Sequence, residues 1–219
     1  MHSHLIPGVD DGSGSVTESE HMINGLFDLG FTHLFTTPHT ISELHPNTLT
    51  TISQGFKELE GLQPAIKLDW SSEYFLDELF LSLLENNQVK PLPGNRLLIE
   101  FSMVTKPLNL ESQLSAISQK GYQIVLAHPE RYLFLQKKDL YQKLRDQGIE
   151  FQVNALSLVG NYGKRIKKAA DELIREEMID FIGTDLHHPK ALKILRKVPS
   201  TSSFKTLVKS GCLKNQTLL

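Results

Sequence analysis

Along the chain, short apolar runs alternate with longer stretches in which apolar residues recur every three or four positions. Residues 33–37, 66–71, 97–101, 123–127, 150–154 and 179–183 are short, apolar and bounded by turn formers, the pattern of strands. Residues 1–5 supply a stub that makes seven. Residues 16–29, 48–62, 76–86, 110–120, 140–147 and 166–177 carry the helical period. Gly30, Gly121 and Gly148 stand just past three of these stretches, where a left-handed residue closes a helix. There is no internal repeat, low-complexity tract or domain linker, so residues 1–219 are expected to form a single α/β domain with a parallel sheet.

Polar residues decide between an open sheet and a closed one. His39, Glu73, Glu100, His128 and Asp185 each fall at or just beyond the C-terminal end of a different predicted strand. In a barrel those ends converge on one mouth, whereas consecutive strands of an open sheet spread them apart. The expected fold is a distorted, seven-stranded relative of the (β/α)8 barrel.

Composition narrows the chemistry. Hydrophobic residues make up 40% and charged residues 22%, a globular balance, and a net charge of -2 provides no basic footprint for nucleic acid. Cys212 is the only cysteine, which rules out an internal disulfide and favours a reducing compartment, the cytoplasm. No arginine follows it to cradle phosphate, so a thiol phosphatase is excluded. No stretch reaches the roughly 18 apolar residues of a membrane span, and no signal peptide is visible. His2 and His4 have almost no strand before them, so Met1 is expected to be internal to a slightly longer chain, or the start of a trimmed one.

The candidate chemistry is a series of histidines and carboxylates. His2-Ser3-His4 places two imidazoles two residues apart, on one face of a strand, where both could reach one ion. Asp10-Asp11-Gly12 follows in a loop, where Asp10 suits a simple turn cap. Pro38 is expected to stop the second strand and leave His39 in a loop. Glu100 closes the apolar run Leu-Leu-Ile-Glu-Phe, where a carboxylate is costly to bury unless paired or bound to metal. His128 sits in Ala-His-Pro-Glu-Arg-Tyr, and Asp185 and His187 in Thr-Asp-Leu-His. Taken singly, each residue reads as a turn cap or a satisfied polar group. Nine of them at the strand ends of one domain point to a metal centre.

In this order, His-x-His, Asp-Asp-Gly, Thr-Pro-His, a strand-end Glu, Ile-Glu-Phe, Ala-His-Pro-Glu-Arg-Tyr and Thr-Asp-x-His resemble the polymerase-and-histidinol-phosphatase (PHP) superfamily. Ile-Pro-Gly-Val-Asp-Asp-Gly and Ala-His-Pro-Glu-Arg-Tyr are similar to its bacterial capsule-type tyrosine phosphatases, and the likeness runs over residues 2–188. The departures are Thr184, where serine is commoner, and the missing residues before His2. The resemblance implies three divalent ions. His2, His4, Glu73 and Asp185 would hold the first, Glu73 with Glu100 and His128 the second, and Asp11, His39 and His187 the third. Arg131 would contact phosphate. The nitrogen-and-oxygen donor set suits manganese, the expected ion, and also iron or zinc. His21, His33, His45 and His188 match no motif position and are expected to be surface or structural residues. The implied substrate is the phosphotyrosine tail of a bacterial tyrosine kinase controlling capsular or exopolysaccharide synthesis. The alternatives are a small-molecule phosphomonoesterase such as histidinol phosphatase, a nuclease or proofreading module, and a non-enzymatic scaffold. The acidic balance disfavours the nuclease, and a full ligand set disfavours the scaffold. Oligomeric state has no signature in the sequence.

Overall fold

A computed structural model describes residues 1–62 and 66–219. In chain order the first half runs α1 (Val16–Asp28), β1 (His33–Thr36), β2 (His39–Thr40), α2 (Leu49–Glu60), β3 (Lys67–Trp70), β4 (Glu73–Phe75), α3 (Glu78–Glu85) and β5 (Arg96–Glu100). It continues with α4 (Leu110–Gln119), β6 (Gln123–Ala127), α5 (Lys138–Asp146), β7 (Glu150–Asn154) and α6 (Ala155–Leu158). The last elements are α7 (Lys164–Arg175), β8 (Phe181–Gly183), α8 (Leu192–Leu195) and α9 (Ser202–Ser210). The chain clusters into two compact units, one of Met1–Lys90 with Thr184–Arg196, the other of Pro91–Gly183 with Lys197–Leu219.

In the first unit β1 pairs with β3, and β2 with β4, both parallel. Pro38 lies between β1 and β2, and Ser71-Ser72 between β3 and β4. The ladder breaks at these points and then resumes, so His39 opens a short strand in register with Glu73 instead of standing in a loop. The carbonyl of Pro38 accepts from the Glu73 amide at 3.0 Å and from the Ser72 hydroxyl at 2.7 Å, which carries the pairing past the proline. Helix α1 buries Met22, Ile23 and Leu26, and Ser15 caps it by accepting from the Glu18 amide. Helix α2 begins with a capping box of Thr48 and Thr51 and buries Ile52, Phe56 and Leu59. A Cβ at Gly55 of α2 would meet Ile6 Cγ2 at 2.5 Å, so only glycine lets the helix lie against the N-terminal segment.

Residues 1–5 form no full strand. A single parallel bridge joins Ser3 to Leu186, and the Ser3 carbonyl accepts from the Thr37 amide at 2.7 Å. His2 has φ 65°, in the left-handed region, which interrupts the extended backbone that a ladder requires.

In the second unit β5, β6, β7 and β8 lie side by side in that order, all parallel. Leu97, Leu98, Ile99, Ile124, Val125, Leu126, Phe151, Val153 and Phe181 are almost fully buried, the near-continuous apolar lining of a parallel sheet covered on both faces. An ion network closes the N-terminal ends of these strands. Arg96 pairs with Glu150 at 2.8 Å, Lys214 reaches Glu150 at 2.9 Å and Asp180 at 2.8 Å, and Arg145 pairs with Asp180.

Candidate metal centre

Seven of the predicted site residues, His2, His4, Asp11, His39, Glu73, Asp185 and His187, lie in the first unit. Four of them bring donor atoms together in a fully enclosed cluster. His2 Nε2 lies 3.0 Å from Glu73 Oε2 and 3.2 Å from Asp185 Oδ1. His4 Nε2 lies 3.3 Å from His2 Nε2 and 3.4 Å from both carboxylate oxygens. Donors about 2.1 Å from a single ion stand ~3.0 Å apart at a right angle and ~3.4 Å apart at a tetrahedral one. The cluster has those spacings.

The electrostatics of the cluster call for a cation. Asp10 Oδ2 lies 2.7 Å from His4 Nδ1, and a proton held there turns the lone pair of Nε2 toward the carboxylates. Without an ion, protons must fill that role. Burial disfavours the charged form of His2, but Glu73 and Asp185 outweigh it and lift the pKa to about 10. Burial acts the same way on His4, and Asp10, Asp185 and Glu73 hold its pKa well above the usual value. Burial would raise the Asp185 carboxyl, yet His2, His4 and His187 hold it well below the carboxylate range. A divalent ion would supply that positive charge without protons on the Nε2 atoms of His2 and His4.

A second group lies at the rim. His39 Nε2 is 3.6 Å and His187 Nε2 3.5 Å from Asp11 Oδ1, while His39 Nδ1 faces Glu73 Oε2 at 3.3 Å. His187 stacks on His4 with ring centres 3.8 Å apart. A hydrogen bond from His187 and its charge, opposed by partial burial, hold the Asp11 carboxyl well below its usual range. A Cβ at Gly12 would come within 2.4 Å of His4, so the turn that presents Asp11 can lie this close only with glycine.

Three predicted residues, Glu100, His128 and Arg131, lie in the second unit. Glu100 ends β5 and His128 follows β6, both nearly buried, with Nε2 and Oε2 3.9 Å apart. Arg131 ends the short turn Pro129–Arg131, and its guanidinium stands over the Tyr162 ring, 4.7 Å from the centre. His2, His128 and Asp185 all have positive φ, at 65°, 35° and 49°. Non-glycine residues hold that conformation only where surrounding structure enforces it, and it concentrates at functional sites.

Several participants have no strong signal in the sequence. Asp10 caps the turn through Gly12, as expected, but also accepts from the His39 amide at 3.0 Å and holds His4. Burial would raise its carboxyl, but His4 and these amides bring it down to about 2. Its place six residues after His4 was the available clue. Asn47 donates to the carbonyls of Val9 and His39, both at 2.8 Å, tying the aspartate loop to β2. Glu130 is completely buried in the second unit, and burial pushes its carboxyl up to about 7. Of the histidines outside the motifs, His21 and His188 are exposed and His33 lies on β1. His45 stacks on His39 with ring centres 5.9 Å apart.

Comparison with known proteins places the chain in a family. The family model for capsular polysaccharide synthesis, CpsB/CapC, matches residues 1–200. A putative tyrosine-protein phosphatase, CapC of Staphylococcus aureus, is 26% identical over 193 residues, covering 85% of this chain and 76% of that protein. The tyrosine-protein phosphatase YwqE of Bacillus subtilis is 26% identical over 201 residues, covering 87% and 77%. In three dimensions the chain is similar to a structure described with YwqE and Streptococcus pneumoniae CpsB as metal-dependent tyrosine phosphatases. There the TM-score is 0.76 at 23% identity, with 95% of this chain and 90% of the other covered. With its family pattern spanning both compact units, the chain belongs to the CpsB/CapC family of capsular polysaccharide synthesis.

Proposed function

We propose that this protein is a metal-dependent protein-tyrosine phosphatase acting on the phosphotyrosine tail of a bacterial tyrosine kinase in capsular or exopolysaccharide synthesis. The observation that carries the reading is the enclosed convergence of His2, His4, Glu73 and Asp185 at the spacing of donors around one ion. The family match and the tyrosine-phosphatase relatives direct it toward phosphotyrosine. In this reading residues 1–219 form one PHP-type domain, a distorted seven-stranded barrel, and work in the cytoplasm, where the lone Cys212 stays a thiol.

His2, His4, Glu73 and Asp185 would hold one ion, Glu73 with Glu100 and His128 a second, and Asp11, His39 and His187 a third, with manganese preferred. Bound divalent ions supply Lewis acidity and an activated water for in-line attack on phosphorus. Four carboxylates against three such ions leave a charge of about +2, which attracts a phosphomonoester dianion. Arg131 would grip two phosphate oxygens with its planar fork and stabilise charge that grows in the transition state. A tyrosine leaving group, with a pKa of about 10, departs with little protonation, so aryl esters suit a centre without a strong general acid.

The test is hydrolysis of a phosphotyrosine peptide and of histidinol phosphate, side by side, with added manganese and with chelator. We expect manganese-dependent release of phosphate from the peptide in preference to histidinol phosphate. Activity that survives complete chelation, or a preference for histidinol phosphate, would overturn the assignment.

A further inference from the structure

Glu130 precedes the proposed phosphate-binding arginine within Ala-His-Pro-Glu-Arg-Tyr and was given no role above, while Tyr162, which stands against that arginine, belongs to none of the motifs. Glu130 Oε1 accepts from the Asn154 amide at 3.0 Å and the Ser157 hydroxyl at 2.6 Å. The Glu130 carbonyl accepts from Gln136 Nε2 at 2.9 Å, and the Pro129 carbonyl from the Tyr141 hydroxyl at 3.2 Å. The Glu130 side chain therefore ties the turn that ends in Arg131 to α6, and the backbone carbonyls of that turn are held by Gln136 and Tyr141.

The other end of the same short helix presents Tyr162. The Gly160 amide donates to Ser157 at 3.0 Å and the Asn161 amide to Leu156 at 3.1 Å, while Gly163 closes back on Gly160 at 3.0 Å. Gly160 and Gly163, with φ of 77° and 94°, make the tight loop possible and leave Tyr162 at its tip. Helix α6 thus holds the Glu130 side chain next to Arg131 in sequence, and the loop that follows the helix carries the ring against the Arg131 guanidinium. The ring lies against one face of the planar cation, 4.7 Å from the guanidinium carbon.

We propose that Tyr162 is a positioning residue that acts through Arg131, holding the guanidinium plane so that its fork meets phosphate oxygens. The inference rests on the phosphatase reading given above. A hydroxyl is not needed for this role, whereas an aromatic face is. Tyr162→Leu is therefore expected to lower kcat/KM for a phosphotyrosine peptide roughly 3- to 30-fold, the range of one cation–π contact. Tyr162→Phe should restore most of that. Metal content and melting temperature should match the parent protein in both, because Tyr162 is only partly buried.

The deciding comparison is a double-mutant cycle on the manganese-loaded protein. In an Arg131→Ala background, itself expected to be 10²–10³-fold weaker, Tyr162→Leu should have no further effect. Independently of activity, the Arg131 Nε–Hε resonance should show a ring-current shift in the parent and in Tyr162→Phe that Tyr162→Leu abolishes. Equal losses for Tyr162→Leu with and without Arg131 would overturn the positioning role, as would an Arg131 resonance indifferent to Tyr162. Strong loss in Arg131→Ala with none in Tyr162→Leu would overturn the inference and leave the phosphatase reading intact. Wild-type activity in Arg131→Ala would overturn both the inference and the role given to Arg131.

Discussion

His4 is committed in two directions at once: Nδ1 to Asp10 at 2.7 Å, Nε2 to the cluster of His2, Glu73 and Asp185. That division fixes both the tautomer and the orientation of the ring. Asp10→Asn should keep the fold and lower metal affinity about 10- to 100-fold, the usual scale for a partner behind a ligating imidazole. Glu73 carries a heavier load, since His2, His4 and His39 all approach its Oε2. Glu73→Gln is expected to lose metal and activity together, whereas His21→Ala, on the exposed side of α1, changes neither. Titration calorimetry with manganese, elemental analysis and phosphotyrosine kinetics check this set. A fully active Glu73→Gln would remove the shared ligand from the scheme.

Strands and helices place these side chains through their ends. Helix caps at Ser15, Thr48, Asp77 and Thr201 accept from the backbone amide of the third residue of each helix, so the helices begin where short polar residues occur. At the opposite ends of β5, β7 and β8 from Glu100, the ion network involves Asp180, which is nearly buried and accepts from Arg145, Lys214 and the Phe151 amide. Removing the Asp180 carboxylate takes a partner from Arg145 and the side-chain acceptor of the buried Phe151 amide, while Lys214 keeps Glu150, so Asp180→Ala should lower stability by about 1–3 kcal/mol in urea unfolding. Metal binding by the remaining folded protein should be unchanged. Lys214 is desolvated, but Asp180 and Glu150 raise its pKa above the ordinary lysine value, so its share is complete at neutral pH and is lost as pH rises from that ordinary value through the raised one. A destabilisation under ~1 kcal/mol would make the network ordinary surface charge.

Taken whole, the molecule carries a net charge of -2, and its fold gathers carboxylates that only cations can offset. Among the described residues no helix is long and apolar enough to cross a membrane. Ions that bind the folded chain and not the unfolded one stabilise it by mass action. Exhaustive chelation is therefore expected to lower the melting temperature by roughly 5–10 °C, with recovery on adding manganese. Calorimetry with metal loss confirmed by elemental analysis is the measurement. An unchanged transition in demonstrably metal-free protein would count against the centre.

From the sequence alone came the strand-helix alternation, most element positions and the candidate ligand residues. Apolar period reports what must be buried, and few structural roles require so many histidines and carboxylates just past apolar runs. The manner in which His2 and His4 converge was not legible. Alternation along a strand predicted one shared face, but His2 turns into the left-handed region and the imidazoles meet without a ladder. Nor was the renewed pairing after Pro38, which seats His39 opposite Glu73. The role of Asp10 behind His4, the bond from Ser157 to Glu130 and the ring of Tyr162 against Arg131 were decided by tertiary structure as well. Hydrophobic burial depends on local pattern and survives many arrangements of neighbours. A hydrogen bond or a strained φ depends on which distant groups arrive within about 3 Å, and only the packed chain determines that.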